Sequence, residues 1–420
     1  MLLLSHPTGN ANVRHAALGL ARAGLLAEFR TCLAVDPAAA WLRLLPGGVA
    51  AQIRRRAVPE ELRALARGRP LREIARLALG RSGLGSALTR HETGLFSVDA
   101  IYRDLDRACA RRLRRGGIDG IYAYEDGALA SFRAAKQGGL ATFYDQPIGY
   151  WRAARRILAE EAEREPEWAG TIVGNRDSAE KTDRKDEELR LAEVVFAATS
   201  FTKTTLADHP GFTAPVHVIP YGAPVTRSDT VRSPYASREK PLRVLYVGSL
   251  GQRKGLSYLF AAAKLAGRSI ALTVVGTKPA EPCTALEVAL GSHHWIASLP
   301  HGEVLERMRN SDVLVFPSLF EGFGLVILEA MAQGVPVITT PHTAGPDIIT
   351  DGVDGFIVPI RDATAIAARL DLLHHDRERL ATMGEAARRR AATFTWSAYE
   401  ATVARVVGGH LASPRPPISP

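Results

Sequence analysis

Cysteine is scarce in this chain. Its 420 residues hold three, Cys32, Cys109 and Cys283, far apart and without metal-ligand spacing. That excludes a disulfide scaffold, fits a reducing cytoplasm, and reads as three small buried hydrophobes. Long apolar runs are missing too: none reaches the length needed to span a bilayer. The opening Met1-Leu2-Leu3-Leu4-Ser5 has no basic n-region and too short an apolar run for a signal peptide, so it reads as a first buried strand. No repeat of solenoid period is present, and no basic strand is interleaved with aromatics, which argues against nucleic acid as a partner. Acid does not balance base: the net charge is +9. A basic enzyme can serve a polyanion or an anionic membrane surface, and composition does not choose between them. With 46% hydrophobic and 23% charged residues the chain is ordinary globular protein, and its length suits two domains.

The C-terminal half reads most clearly. Arg243–Val247, Ile270–Val275, Asp312–Phe316, Val335–Thr339 and Gly355–Val358 are short apolar strands closed by glycine or proline. Helices over Leu256–Ala266 and Leu325–Gln333 fall between them. Apolar strands alternating with helices mean a parallel sheet covered on both faces. The N-terminal half repeats the pattern less cleanly, with strands at Leu2–Ser5, Gly120–Ala123, Leu140–Tyr144 and Val194–Ala198 and a helix over Ala11–Ala23. Trp41–Arg115 reads as a long arginine-rich helical stretch. The expected division is an N-terminal doubly wound domain over 1–215 and a C-terminal one over 216–395. A helix over 396–412 should pack back toward the first domain, and a proline-rich tail over 413–420 should be disordered.

Ligands of doubly wound sheets bind beyond the carboxyl ends of strands. Two loops lie there. In Gly248-Ser249-Leu250-Gly251-Gln252-Arg253-Lys254-Gly255, glycines admit a ligand to the backbone and two cations sit at a helix N-terminus; a diphosphate fits, and so does a solvated basic turn. In Pro317-Ser318-Leu319-Phe320-Glu321-Gly322-Phe323-Gly324, a carboxylate precedes a glycine-framed turn. The helix that follows carries a single charge, Glu329, which needs donors such as ligand hydroxyls or a core arginine.

The segment Glu321–Glu329, with Gly322-Phe323-Gly324-Leu325 inside it, resembles the E-x7-E motif of family 4 glycosyltransferases, which have the GT-B fold of two facing Rossmann-like domains. Val218–Gly222, Gly352–Gly355 and Phe394–Tyr399 resemble further elements of that family, so the likeness is specific from about Ala198 to Val407. The resemblance implies a retaining transferase that takes a nucleotide sugar as substrate, with no cofactor and no metal. Gly248, Arg253 and Lys254 would hold the donor phosphates and Glu329 the ribose. Glu321, Gly322, Phe323, Gly324 and Leu325 would hold the transferred sugar, with Glu321 catalytic. The loop His6-Pro7-Thr8-Gly9-Asn10-Ala11-Asn12 resembles the family loop facing donor and acceptor: Gly9 falls to the donor, His6, Asn10 and Asn12 to the acceptor side. Ser249 stands where many relatives carry arginine. Tyr144 and Asp145 stand where many carry a histidine, which makes Tyr144 an acceptor-side residue and Asp145 a candidate catalytic group or else a turn former.

Asp104-Leu105-Asp106 has the form of a metal-binding D-x-D, but it lies in an arginine-rich helix and reads as exposed carboxylates beside Arg103 and Arg107. Arg54–Arg81 contains nine arginines against three glutamates, interleaved with leucine and isoleucine. It reads either as a solvated face or as a basic amphipathic helix lying on an anionic membrane. In the second case the acceptor is a lipid-linked or polysaccharide intermediate of bacterial surface glycan synthesis, and the enzyme is cytoplasmic, peripheral at the inner membrane face. A nucleotide-sugar epimerase and a non-catalytic GT-B scaffold are the alternatives. An epimerase needs no acceptor, and a scaffold does not need the pair Glu321 and Glu329.

Overall fold

The computed structural model describes residues 1–44, 53–54, 56–79, 85–172, 177–224, 235 and 237–413. Most of the expected tail, residues 225–234 and 236 of the segment joining the halves, and Arg55 and Arg81 of the basic run lie outside them.

Among the described residues, two all-parallel sheets form. The first has seven strands in the order β3-β2-β1-β4-β5-β6-β7, with β1 Leu2–Ser5, β2 Leu26–Thr31, β3 Ala66–Gly68, β4 Gly120–Tyr124, β5 Ala141–Gln146, β6 Val194–Ala197 and β7 Val216–Val218. The second has six in the order β10-β9-β8-β11-β12-β13, with β8 Leu242–Val247, β9 Ile270–Val275, β10 His294–Ile296, β11 Val313–Phe316, β12 Val337–Thr339 and β13 Gly355–Ile357. Strands β1, β4, β5, β6, β11 and β12 are buried along their whole length, as strands covered on both faces must be. In each sheet the order reverses beside the first strand. Those switch points put the β1 and β8 loops where a doubly wound sheet binds ligand.

The stretch 41–115 is not one long helix. Its described parts include helices Glu60–Arg63, Leu71–Leu79 and Val98–Leu113 and the short strand β3. Pro59 and Gly68-Arg69-Pro70 supply the breaks. The basic run is thereby divided, and its arginines are partly spent inside the domain. Arg56 and Arg76 pair with buried Glu73, and Arg69 and Arg72 reach Asp104. The D-x-D carboxylates are not the exposed pair expected. Asp104 holds those arginines, and Asp106 is buried, accepting Ala130 N–H and Ser131 N–H at the start of another helix.

Helix Trp396–Ala412, capped by Thr395, leaves the second half and lies along helix Ala11–Arg22 of the first. Glu400 takes His15 and Arg22 as partners, Trp396 stacks on His15 at 4.1 Å, and a side chain at Gly19 would overlap the Glu400 backbone. No helix among the described residues is long and apolar enough to cross a membrane.

Candidate active site

The loop after β8 is built by its glycines and by Gln252. Gly255 adopts φ +71° between the turn Gln252–Lys254 and helix Leu256–Ala266, and a side chain there would strike the Pro317 carbonyl. The loop after β11 is therefore packed directly against it. Leu319 N–H and Ser318 Oγ donate to the Arg253 carbonyl at 2.9 and 3.3 Å, and Arg253 Nη1 donates to Phe320 O at 2.6 Å.

This contact brings together the residues that the sequence placed 67 positions apart: Lys254 Nζ is bonded to Glu321 Oε2, and Arg253 Nη1 lies 3.4 Å from the same oxygen. Burial alone would raise the Glu321 carboxyl. The Lys254 ammonium and the Arg253 guanidinium outweigh it and hold the group ionised, below the usual carboxylate range. The same burial, with Arg253 alongside, pulls the Lys254 ammonium below its ordinary value. The other Glu321 oxygen accepts Gly322 N–H at 3.3 Å. Gly324 at φ +79° then turns the chain into helix Leu325–Ala332, whose first N–H groups point toward the loop, an anion-favouring end. Glu329, on that helix, is partnered neither by an arginine nor by solvent alone: Oε1 lies 2.9 Å from His301 Nε2.

The first half closes over this loop. Thr199 Oγ1 donates to Gly322 O at 3.0 Å, Ser200 N–H to Asp347 Oδ2 at 2.9 Å, and a side chain at Gly322 would overlap the Pro147 carbonyl. Phe320 sits among Ala153, Ile157 and Phe201. Beside Arg253 and Phe320 a cavity of about 200 Å³ opens between helices Trp151–Arg164 and Ala179–Leu191, with Glu125 and Lys185 in its wall.

The remaining N-terminal candidates fall in different places. His6 is buried, and burial lowers it to about 3, so it is neutral; its Nδ1 accepts Thr8 N–H and Gly9 N–H at 3.2 and 3.1 Å and so shapes the loop. Gly9 takes φ +59°, Asn10 is exposed and accepts from Thr8 Oγ1, and Asn12 Nδ2 donates to Tyr221 OH at 3.2 Å. Tyr221 in turn lies 4.9 Å from the Phe323 ring. Asp145 accepts Tyr122 OH at 2.7 Å at the carboxyl end of β5, and burial among tyrosines raises it to about 7. Tyr144, next in the strand, points to the opposite face: it packs on Phe132 and bonds buried Glu188, so it does not face the seam between the halves. Among the described residues, His91, Glu92 and Asp177 bring three ligand-type atoms within 4.8 Å of one another. Lys181 and Lys185 already pair with Asp177, and Ser178 donates to Glu92, so those carboxylates are occupied.

The facing pair of doubly wound domains is the GT-B fold, and solved structures share it along nearly the whole chain. Sucrose-phosphate synthase of Thermosynechococcus elongatus superposes with TM-score 0.66 at 18% identity, covering 98% of this chain and 99% of that one. Anabaena HepE in complex with UDP-glucose gives 0.61 at 15%, covering 97% and 99%. Residues 228–390 match the family model of glycosyl transferases group 1. Glycogen synthase of Mycobacterium tuberculosis is 28% identical over 295 residues, 66% of this chain and 68% of that protein. The amylovoran biosynthesis glycosyltransferase AmsK of Erwinia amylovora is 31% identical over 144 residues, 31% of this chain and 35% of its own. The likeness to glycosyl transferases group 1 thus lies in the C-terminal half of the chain, and the likeness of fold extends over both halves.

Proposed function

We propose that the chain is a retaining, metal-independent glycosyltransferase of family 4 that moves a sugar from a nucleotide sugar to an acceptor hydroxyl. The observation that carries this is Glu321, held ionised between Lys254 and Arg253 beside the Gly322-Phe323-Gly324 turn, at the seam of the two halves. Arg253, Lys254 and the Gly248 loop take the diphosphate, and Glu329 takes the ribose hydroxyls in exchange for His301. Glu321 with the Phe323 and Gly324 backbone and Leu325 holds the transferred sugar. Two fixed cations and a helix N-terminus supply the stabilisation that a divalent ion gives elsewhere. The Gly9 loop and Asp145 stand on the opposing half, and the cavity walled by Glu125 and Lys185 supports an acceptor bound there.

The acceptor on this reading is a lipid-linked or polysaccharide intermediate presented at an anionic membrane surface. The support is Leu71 and Ile74, 82% and 53% exposed on one face of helix Leu71–Leu79 while Glu73 faces inward. A thermal-shift screen of nucleoside diphosphates and nucleotide sugars tests the donor. Proton NMR of the first product tests retention, and an inverted anomer would refute it. Flotation with liposomes tests the surface: binding should need anionic lipid and fall as salt rises.

A further inference from the structure

Glu161 lies far from the motif in sequence, yet it is the most enclosed charged group touching the phosphate-facing loop. It sits on helix Trp151–Arg164, its side chain 0% exposed. Oε1 accepts from Gln252 Nε2 at 2.6 Å and Oε2 from Arg361 Nε at 2.7 Å. Arg361, in turn, binds Glu160 and the Ile157 carbonyl, and holds a left-handed backbone, φ +63°, that a non-glycine residue keeps only when its surroundings fix it. Gln252 is fully buried and is used at every polar atom. Its N–H donates to Thr171 Oγ1 at 2.9 Å, its Nε2 also reaches Ser257 Oγ at 2.6 Å, and its Oε1 accepts Ser257 N–H at 3.0 Å. The next two residues in the chain are Arg253 and Lys254. Nearby, Trp168 stacks on Phe260, so the segment carrying Glu161 and Thr171 is docked on the second half as a unit.

We propose that Glu161 is a positioning residue: through Gln252 it sets where Arg253 and Lys254 stand, so that affinity for the donor's phosphates depends on a contact made by the first half of the chain. This rests on the reading that those two cations hold the donor diphosphate. A glutamine held by three side-chain bonds and one backbone bond aims the cations; with Glu161 gone, Gln252 keeps Ser257 and Thr171 but loses the partner that fixes its rotamer against the loop.

Isothermal titration of the wild-type protein with UDP, ADP and GDP selects the diphosphate that binds most tightly, and its monophosphate is the control. Glu161→Ala and Gln252→Ala should each lower the diphosphate-to-monophosphate affinity ratio at least fivefold, and the double variant should be no worse than the weaker single one. Glu161→Gln, whose amide oxygen still accepts from Gln252, should recover most of the ratio. A merely structural role would weaken both nucleotides alike and leave the ratio unchanged. If Glu161→Ala fails to fold, Gln252→Ala carries the comparison. Diphosphate binding that Arg253→Ala loses but Glu161→Ala and Gln252→Ala keep would overturn this inference alone. Binding of none of the three diphosphates to the wild-type protein would overturn the donor reading, and this inference with it.

Discussion

Replacing Asp145 by asparagine should make the protein more stable at pH 8 and change it far less at pH 5. Burial raises the Asp145 carboxyl from 3.8 to about 7. Between those values the unfolded chain has lost the proton and the folded chain keeps it. The folded state then binds more protons, and stability falls as pH rises through that window. A shift of roughly 3 units is worth about 4 kcal/mol once both states are ionised, of which roughly 2 to 3 kcal/mol should be lost between pH 5 and pH 8. Asparagine keeps an oxygen for the Tyr122 hydroxyl and removes the charge, so the variant should lack this slope. Urea denaturation of both proteins at pH 5, 6, 7 and 8 reads the difference directly. Parallel profiles, offset by a constant, would mean that Asp145 is ionised throughout and that its enclosure by Tyr122 and the neighbouring rings does not desolvate it.

Glu321→Gln should cut transfer on the order of a hundredfold, because the amide neither balances Lys254 nor orients a sugar hydroxyl as the carboxylate does; circular dichroism should show an intact fold. Glu329→Gln should weaken donor binding roughly tenfold, about 1.4 kcal/mol, by calorimetry. Transfer should persist in EDTA, and activity lost there and restored by magnesium or manganese would refute the metal-free site. Gly322→Ala should open the seam, since its methyl overlaps the Pro147 carbonyl. Scattering should then give a larger radius of gyration than for the wild-type protein, and an unchanged value would mean that the contact yields locally.

The sequence carried the second half well. Helix Leu256–Ala266 and strand Ile270–Val275 stand in the structure with the bounds their pattern gives, because a buried parallel strand is an apolar run cut off sharply by glycine or proline. Strand Leu26–Thr31 went unread. Its Glu28 and Arg30 break the apolar run, and they are tolerated because Glu28 pairs with both Arg30 and Arg112. Ala66–Gly68, three residues at the sheet edge amid arginines, looked like helix for the same reason. Within the candidate site, the motif named Glu321 and Glu329 and the Gly248–Gly255 loop offered Arg253 and Lys254, but what surrounds them is long-range. Gln252 and Glu161 are 91 residues apart, and Arg361 and Glu161 are 200 apart. A charged helix such as Trp151–Arg164 gives no sign of which glutamate turns inward. His301 was equally invisible as the partner of Glu329.

The arrangement also says how donor binding and catalysis can be one event on the proposed reading. Lys254 and Arg253 are the cations a diphosphate needs, and Glu321 already engages both. A diphosphate placed against Gly248–Gly255 competes with that carboxylate, and it offers more charge and more acceptor oxygens to the same two donors. As Lys254 turns to phosphate, Glu321 gives up its strongest partner while remaining buried, and an ionised carboxylate there must take new donors. The hydroxyls of the sugar attached to that diphosphate are the nearest donors supplied by the same binding step. His301 and Glu329 repeat the exchange at the ribose end with a weaker, more exposed partner, the histidine being 63% exposed. A ligand with phosphates but no sugar would therefore leave Glu321 under-satisfied, whereas an intact nucleotide sugar satisfies it. The chain should thus hold its donor more firmly, relative to the bare diphosphate, than a site with unpaired cations would.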